Sequence, residues 1–137
     1  MNFYPLGLEA VIMLLAQRIL GFENNDFQKM GRYEAKLSLI IRLFMRYFYS
    51  IDRFAKEISG IWRKYFTVGD IEIIEFSKEK KYVLLRIENF LCHPLFCQSL
   101  LGYFPAVLEM IIKGSVSCQE TQCVHRGDQY HEFLLKW

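Results

Sequence analysis

Apolar residues recur along the chain with changing rhythm. From Gly7 to Leu20 nearly every position is apolar, which predicts a helix buried on most sides. After the cap-like cluster Asn24-Asn25-Asp26, residues Phe27, Met30, Leu37, Ile41, Phe44, Met45 and Phe48 mark one broad face of a second helix reaching about Tyr49. Gly31 inside it costs helix stability, and a close helix crossing is one reason to keep a glycine there. The third helix is the clearest. Ile51, Phe54, Ala55, Ile58, Ile61, Trp62 and Tyr65 follow helical spacing, while Asp52, Arg53, Lys56, Glu57, Arg63 and Lys64 take the other side.

The rhythm then shortens to two. Asp70 to Phe76 and Lys81 to Phe90 read as strands joined by the charged turn Ser77-Lys78-Glu79-Lys80, with Val83, Leu85 and Ile87 on one face. A fourth helix should open at Pro94, which suits a first-turn position, and stop at Gly114. Pro105 should kink or split it. Two closing strands, about Ser115 to Val124 and Gln129 to Trp137, meet through Arg126-Gly127-Asp128, where Gly127 suits a positive φ and Asp128 a local cap. The order α-α-α-β-β-α-β-β predicts a single α+β domain over residues 1–137, its N-terminal helices packed on an antiparallel sheet.

Composition narrows the function classes. A 53% apolar share excludes disorder, and 16% aromatic residues either fill a tight core or line a cavity for an apolar ligand. Seventeen basic residues against fifteen acidic ones are interspersed, so no basic stripe marks a nucleic-acid binder. The N-terminus lacks a basic signal-peptide region, and the run from Asn89 to Leu108 holds His93, Pro94, Gln98 and Pro105, a poor membrane span. The expectation is a soluble cytoplasmic protein whose four cysteines are thiols or metal ligands rather than disulfides.

Cys118 to Phe133 gathers two cysteines, two histidines and two glutamates. Glu120 and Cys123 can converge on one ion only if their strand bulges or ends there, because a regular strand sends them to opposite faces. His131 shares parity with Phe133, Leu135 and Trp137, so it points inward if that face is buried. A fourth donor must come from elsewhere, and Cys97 lies in the first turn of the Pro94 helix, where the helix dipole favours a thiolate. Cys118 or His125 could replace one of these donors. The plain alternative is four separate residues: two core thiols, a satisfied core histidine and a solvated glutamate. His93 reads as a helix cap. A nucleophilic Cys97–His131 pair lacks an orienting third group and an oxyanion-hole signal, and no phosphate-binding or metalloprotease motif is present.

Cys97 with Gly102, Glu120-x-x-Cys123, Gly127-Asp128 and His131 followed by Phe133 resemble the 4-vinyl reductase domain family, small-molecule-binding modules that also serve as sensory domains of phenol-responsive transcriptional activators. The resemblance is carried by residues from about Glu88 to Trp137, and the preceding helices match in layout. It implies a structural zinc held by Cys97, Glu120, Cys123 and His131, the last replacing the family's third cysteine. It also implies a small aromatic or hydrophobic ligand, read out by a change in homodimer geometry or in an attached output domain; the aromatic surplus offers Phe44, Phe48, Tyr49, Trp62 and Tyr103 as candidate lining of a cavity between helices and sheet. On this reading the domain is a non-enzymatic sensor or regulator. The alternatives are an accessory or carrier role in tetrapyrrole (bacteriochlorophyll) reduction, and a dimeric interaction module like the small TRAPP subunits, whose fold is related.

Overall fold

The computed structural model describes residues 6–37, 42–43, 45 and 50–137. Among them the element order is the expected one: helices α1 (Leu6–Leu20), α2 (Asn24–Leu37) and α3 (Ile51–Tyr65), strands β1 (Asp70–Ser77) and β2 (Tyr82–Glu88), helix α4 (Pro94–Ile112), and strands β3 (Ser117–Gln122) and β4 (His131–Lys136). The expected continuation of the second helix toward Tyr49, with Phe44, Phe48 and Tyr49 on it, lies largely outside the described residues.

α3 follows its pattern closely. Ser50 caps it by accepting a hydrogen bond from the Arg53 N–H, and Ile51, Phe54, Ile58, Ile61 and Trp62 are buried. The sheet is antiparallel in the order β1-β2-β4-β3, so the last strand lies between β2 and β3. Val83, Leu85 and Ile87 on β2 pair with Leu135, Phe133 and His131 on β4, and together they form the buried face. α3 lies over β1 and α4 over β3, enclosing one apolar core that includes Trp62, Phe90, Phe104 and Phe133.

α4 is apolar on nearly every side because two layers cover it. One side faces the sheet, and the other meets α2 through reciprocal glycines. A Cβ on Gly31 would lie 2.0 Å from the Ser99 carbonyl oxygen, and one on Gly102 would lie 1.8 Å from that of Gln28. Gly31 therefore marks a helix crossing, at a separation that tolerates no side chain. Polar pairs flank it: Gln28 donates to Gln98 at 2.9 Å, and Arg32 pairs with Glu109 at 2.6 Å. Glu109 also accepts from the Val116 N–H at 3.2 Å, tying the helix end to the following strand.

Three expectations need correction. Pro105 does not split α4, which runs as one element from Pro94 to Ile112. Pro105 is buried, and packing on both sides of the helix offsets the hydrogen bond that proline removes. The helix ends with Lys113 in the left-handed region (φ 55°), one residue before the glycine expected to stop it. α1 is not buried on most sides. Met13 alone among its residues is buried, against Phe27, Leu95 and Phe96, while Leu8, Val11, Ile12, Leu15, Ile19 and Leu20 are exposed. The helix sits at the periphery, where the remaining elements of a single chain offer it few contacts.

Candidate metal centre

The terminal hairpin is shaped by its turn. After β3 ends at Gln122, Val124–Arg126 form a 3-10 turn closed by Gly127 at φ 95°. Asp128 accepts a 2.8 Å hydrogen bond from the Cys123 N–H, and its own N–H donates back to the Cys123 carbonyl at 3.2 Å. The β3–β4 register shifts between Glu120 and Gln122. This is the bulge and strand end required for Glu120 and Cys123 to face one point. His131, first residue of β4, enters from the sheet. Cys97 comes from the first turn of α4, whose start is set by Pro94 and by His93 capping the Leu95 N–H at 3.2 Å.

The four side chains meet. Cys97 Sγ lies 3.9 Å from Cys123 Sγ and 3.7 Å from His131 Nδ1, and Glu120 Oε1 lies 3.1 Å from the same nitrogen. A tetrahedral ion with ~2.3 Å bonds to sulfur sets two sulfurs ~3.8 Å apart and a sulfur and a nitrogen ~3.6 Å apart, so the donors fit such an ion almost as they stand. Cys97, Cys123 and His131 are 3%, 4% and 1% exposed, and the Glu120 side chain 7%. His131 Nε2 donates to the Phe90 carbonyl at 3.1 Å, which leaves Nδ1 as the ligating atom.

Without an ion the cluster is held by protons. A hydrogen bond with Cys92 and then burial push the Cys97 thiol up, and burial chiefly raises Cys123. Burial disfavours the charged form of His131, yet its hydrogen bonds to Cys97 and Glu120 hold it up to about 10. Burial would raise Glu120, but hydrogen bonds from His131 and Cys123, with the charges of His131 and Arg126, keep it below the ordinary carboxylate value. A buried thiol with a raised pKa is the opposite of an activated nucleophile, which argues against a catalytic Cys97–His131 pair.

A second group of donors overlaps the first: Cys92, Cys97, His125 and His131, all within 4.8 Å of one another. His125 was legible as a spare donor. Cys92 was not, although its place five residues before Cys97, across the Pro94 helix start, was the available signal. Cys118 stays apart. It is half-buried against the main core, its thiol pushed up to about 12 by burial and then by Glu120.

Trp62 and Tyr103 line an apolar cavity of about 40 Å³ between α3, β1 and α4, with Met45, Phe54, Tyr65 and Phe66 among its walls. The Trp62 indole N–H is engaged, donating to the Val68 carbonyl at 3.1 Å, and its ring stacks on Phe66 at 4.1 Å. Tyr65 was not among the residues singled out for the pocket. Its Oη is buried and has no hydrogen-bond partner among the described residues. Phe44, Phe48 and Tyr49 lie outside the described residues.

No family model and no curated protein sequence matches the chain. Solved structures do. The phenol-responsive sensory domain of the transcription activator PoxR, determined with phenol, is 14% identical, with 99% of this chain and 76% of that chain covered at a TM-score of 0.75. A trafficking protein particle complex subunit 3 from Naegleria fowleri, covalently bound to palmitic acid, is 18% identical over 96% of this chain and 93% of that one, with a TM-score of 0.67. A vinyl-4-reductase family protein from Methanocaldococcus jannaschii is 15% identical over 99% and 83%, with a TM-score of 0.57. The fold is theirs. The shared fold extends over nearly the whole chain, including the helices that matched only in layout.

Proposed function

We propose that this chain is a ligand-binding sensory or regulatory domain whose C-terminal half is clamped by a structural zinc on Cys97, Glu120, Cys123 and His131. The convergence of these four side chains, from a helix start, a bulged strand, a turn and a central strand, carries the metal reading. Two thiolates, a carboxylate and a neutral imidazole are ordinary zinc donors, and four of them leave no open position, which suits a structural role. Zinc would supply the bond between α4 and the terminal hairpin, on the order of 10 kcal/mol of binding energy available to folding.

The cavity at Trp62, Tyr65 and Tyr103 is the ligand site on this reading. Its apolar wall with one unpaired hydroxyl matches a compound with an apolar body and a single polar group, such as a phenol. At about 40 Å³ it is smaller than the roughly 150 Å³ cavities that admit benzene, so a ring enters only as wall side chains move. Such a ligand favours the opened state over the closed one, which is the differential affinity a sensor requires. Native mass spectrometry of freshly purified protein counts metal, retained organic ligand and subunits together. One zinc per chain is the expected result, and absence of stoichiometric metal overturns the clamp. Phenols that neither bind nor shift thermal stability overturn the pocket.

A second reading rests on α1, whose exposed apolar side chains suit a homodimer face. A small cavity combined with a dimer through α1 favours an interaction module over a sensor, and the trafficking-complex subunit shares this fold.

A further inference from the structure

Six donors surround the metal centre where four suffice, and the exposed His125 marks their outer edge. Cys97 and His131 belong to both groups of four. Glu120 and Cys123 complete one group, while the other is completed by the exposed His125 and by Cys92, which follows the highly exposed Leu91. The His125 ring centroid lies 5.7 Å from that of His131. Because His131 Nε2 is committed to the Phe90 carbonyl, only one ring lone pair is free, and the two groups hold one ion in alternation rather than two at once.

We propose that Cys92 and His125 are the loading pair of this centre. They capture the ion near the surface together with Cys97 and His131, and it then passes to Glu120 and Cys123. A site whose donors Cys97, Cys123 and His131 are buried needs an entry path for the incoming ion. Only two of four bonds change in the transfer, and Cys97 and His131 stay bonded throughout. The exchange balances: Cys92 takes up a proton as Cys123 yields one, His125 leaves neutral, and Glu120 arrives already ionised. On a dipositive ion the loading set is neutral and the final set carries one negative charge. The Arg126 guanidinium, 3.8 Å from Glu120 Oε2, offsets that charge and favours the final position. His125 and Arg126 lie on the same 3-10 turn, directly after Cys123, so one short turn carries both the capturing donor and the compensating charge.

This inference rests on the metal centre proposed above, and the test separates the two. Chelator-treated wild type, C92S, H125A and C92S/H125A are mixed with Co2+, and the visible and thiolate charge-transfer bands are followed with time. The expected result is the wild-type final spectrum and one ion per chain in every variant, with loading and chelator extraction about tenfold slower or more in the double variant. Unchanged rates overturn the loading role, and so does loss of a thiolate band, which would make Cys92 a permanent ligand. Failure of wild type to bind Co2+ overturns the centre itself and this inference with it. C92A/H125Q, checked by circular dichroism, provides a second pair of substitutions if the first is poorly folded.

Discussion

The Phe90 carbonyl oxygen accepts a hydrogen bond from His131 Nε2 at 3.1 Å, while the Phe90 ring packs edge-on against Trp62 at 5.4 Å between centroids. One residue thus engages His131 Nε2 with its backbone, leaving Nδ1 toward the donor cluster, and walls the Trp62 aromatic cluster with its side chain. On the proposed reading, a ligand in the cavity that Trp62 lines would act on Phe90 and through it on the orientation of His131. Phe90→Ala is expected to loosen both, weakening zinc binding about tenfold or more and lowering thermal stability by about 3–5 kcal/mol. A competitive chelator titration and thermal unfolding measure the two effects.

Removal of a single donor should release the clamp. Cys97→Ser and His131→Ala are expected to lose stoichiometric zinc by elemental analysis, and their melting temperature should no longer respond to chelator. Cys118→Ser should behave as wild type in both measurements, since its thiol lies outside both donor groups.

The metal-free protein should depend on pH in a way that the loaded protein does not. His131 is raised from 6.5 to about 10 in the fold, so its contribution is complete below the unfolded value and is lost as pH rises through the folded one. Glu120 is lowered from 4.5, so its contribution is complete above that value and is lost as pH falls through the depressed one. Chelator-treated protein is therefore expected to be most stable between about 4.5 and 6.5 and to weaken from there toward 10. Zinc-loaded protein should gain stability over the same rise, because binding displaces protons from Cys97, Cys123 and His131. Denaturant titrations across pH, with and without chelator, check the opposite slopes.

Tyr65 keeps a buried hydroxyl without a partner among the described residues, and Tyr65→Phe removes it. The ligand-free protein should be unchanged or about 1 kcal/mol more stable, whereas affinity for a phenol should fall about tenfold. Calorimetry of wild type and variant against phenol separates the two effects. If phenol binding is unaffected, Tyr65 is not the polar contact.

Two glycines in helices should respond in opposite directions. Gly102→Ala forces a Cβ to within 1.8 Å of the Gln28 carbonyl oxygen and is expected to cost about 3 kcal/mol or more as α2 and α4 separate. Gly60→Ala in α3 meets nothing within 4 Å and should stabilise by about 0.5–1 kcal/mol. Denaturant unfolding of both variants measures the contrast.

Much of the fold was legible because its elements are built from contacts a few residues apart. The buried face of α3, the alternation on β2 and the helix start at His93-Pro94 all repeat a local period or a cap, and each is where the pattern placed it. The convergence of Glu120 and Cys123 was expected only across a bulge or a strand end, and the structure has both.

Local pattern could not decide what covers an apolar helix. α1 and α4 are both strongly apolar, yet α4 is enclosed by α2 and the sheet while α1 is left at the surface. That difference depends on which elements pack over each helix, and hydropathy along the chain does not record it. Cys92 and the Phe90 carbonyl were hidden likewise, because a residue 41 positions before His131 becomes its partner only when β4 inserts beside β2. Sequence alone thus determined where the described helices and strands lie and named most of the side chains that the fold gathers, Cys92 excepted. The tertiary structure decided which of them share a point in space, since closing loops of this length depends on the summed packing of the whole domain rather than on any one segment.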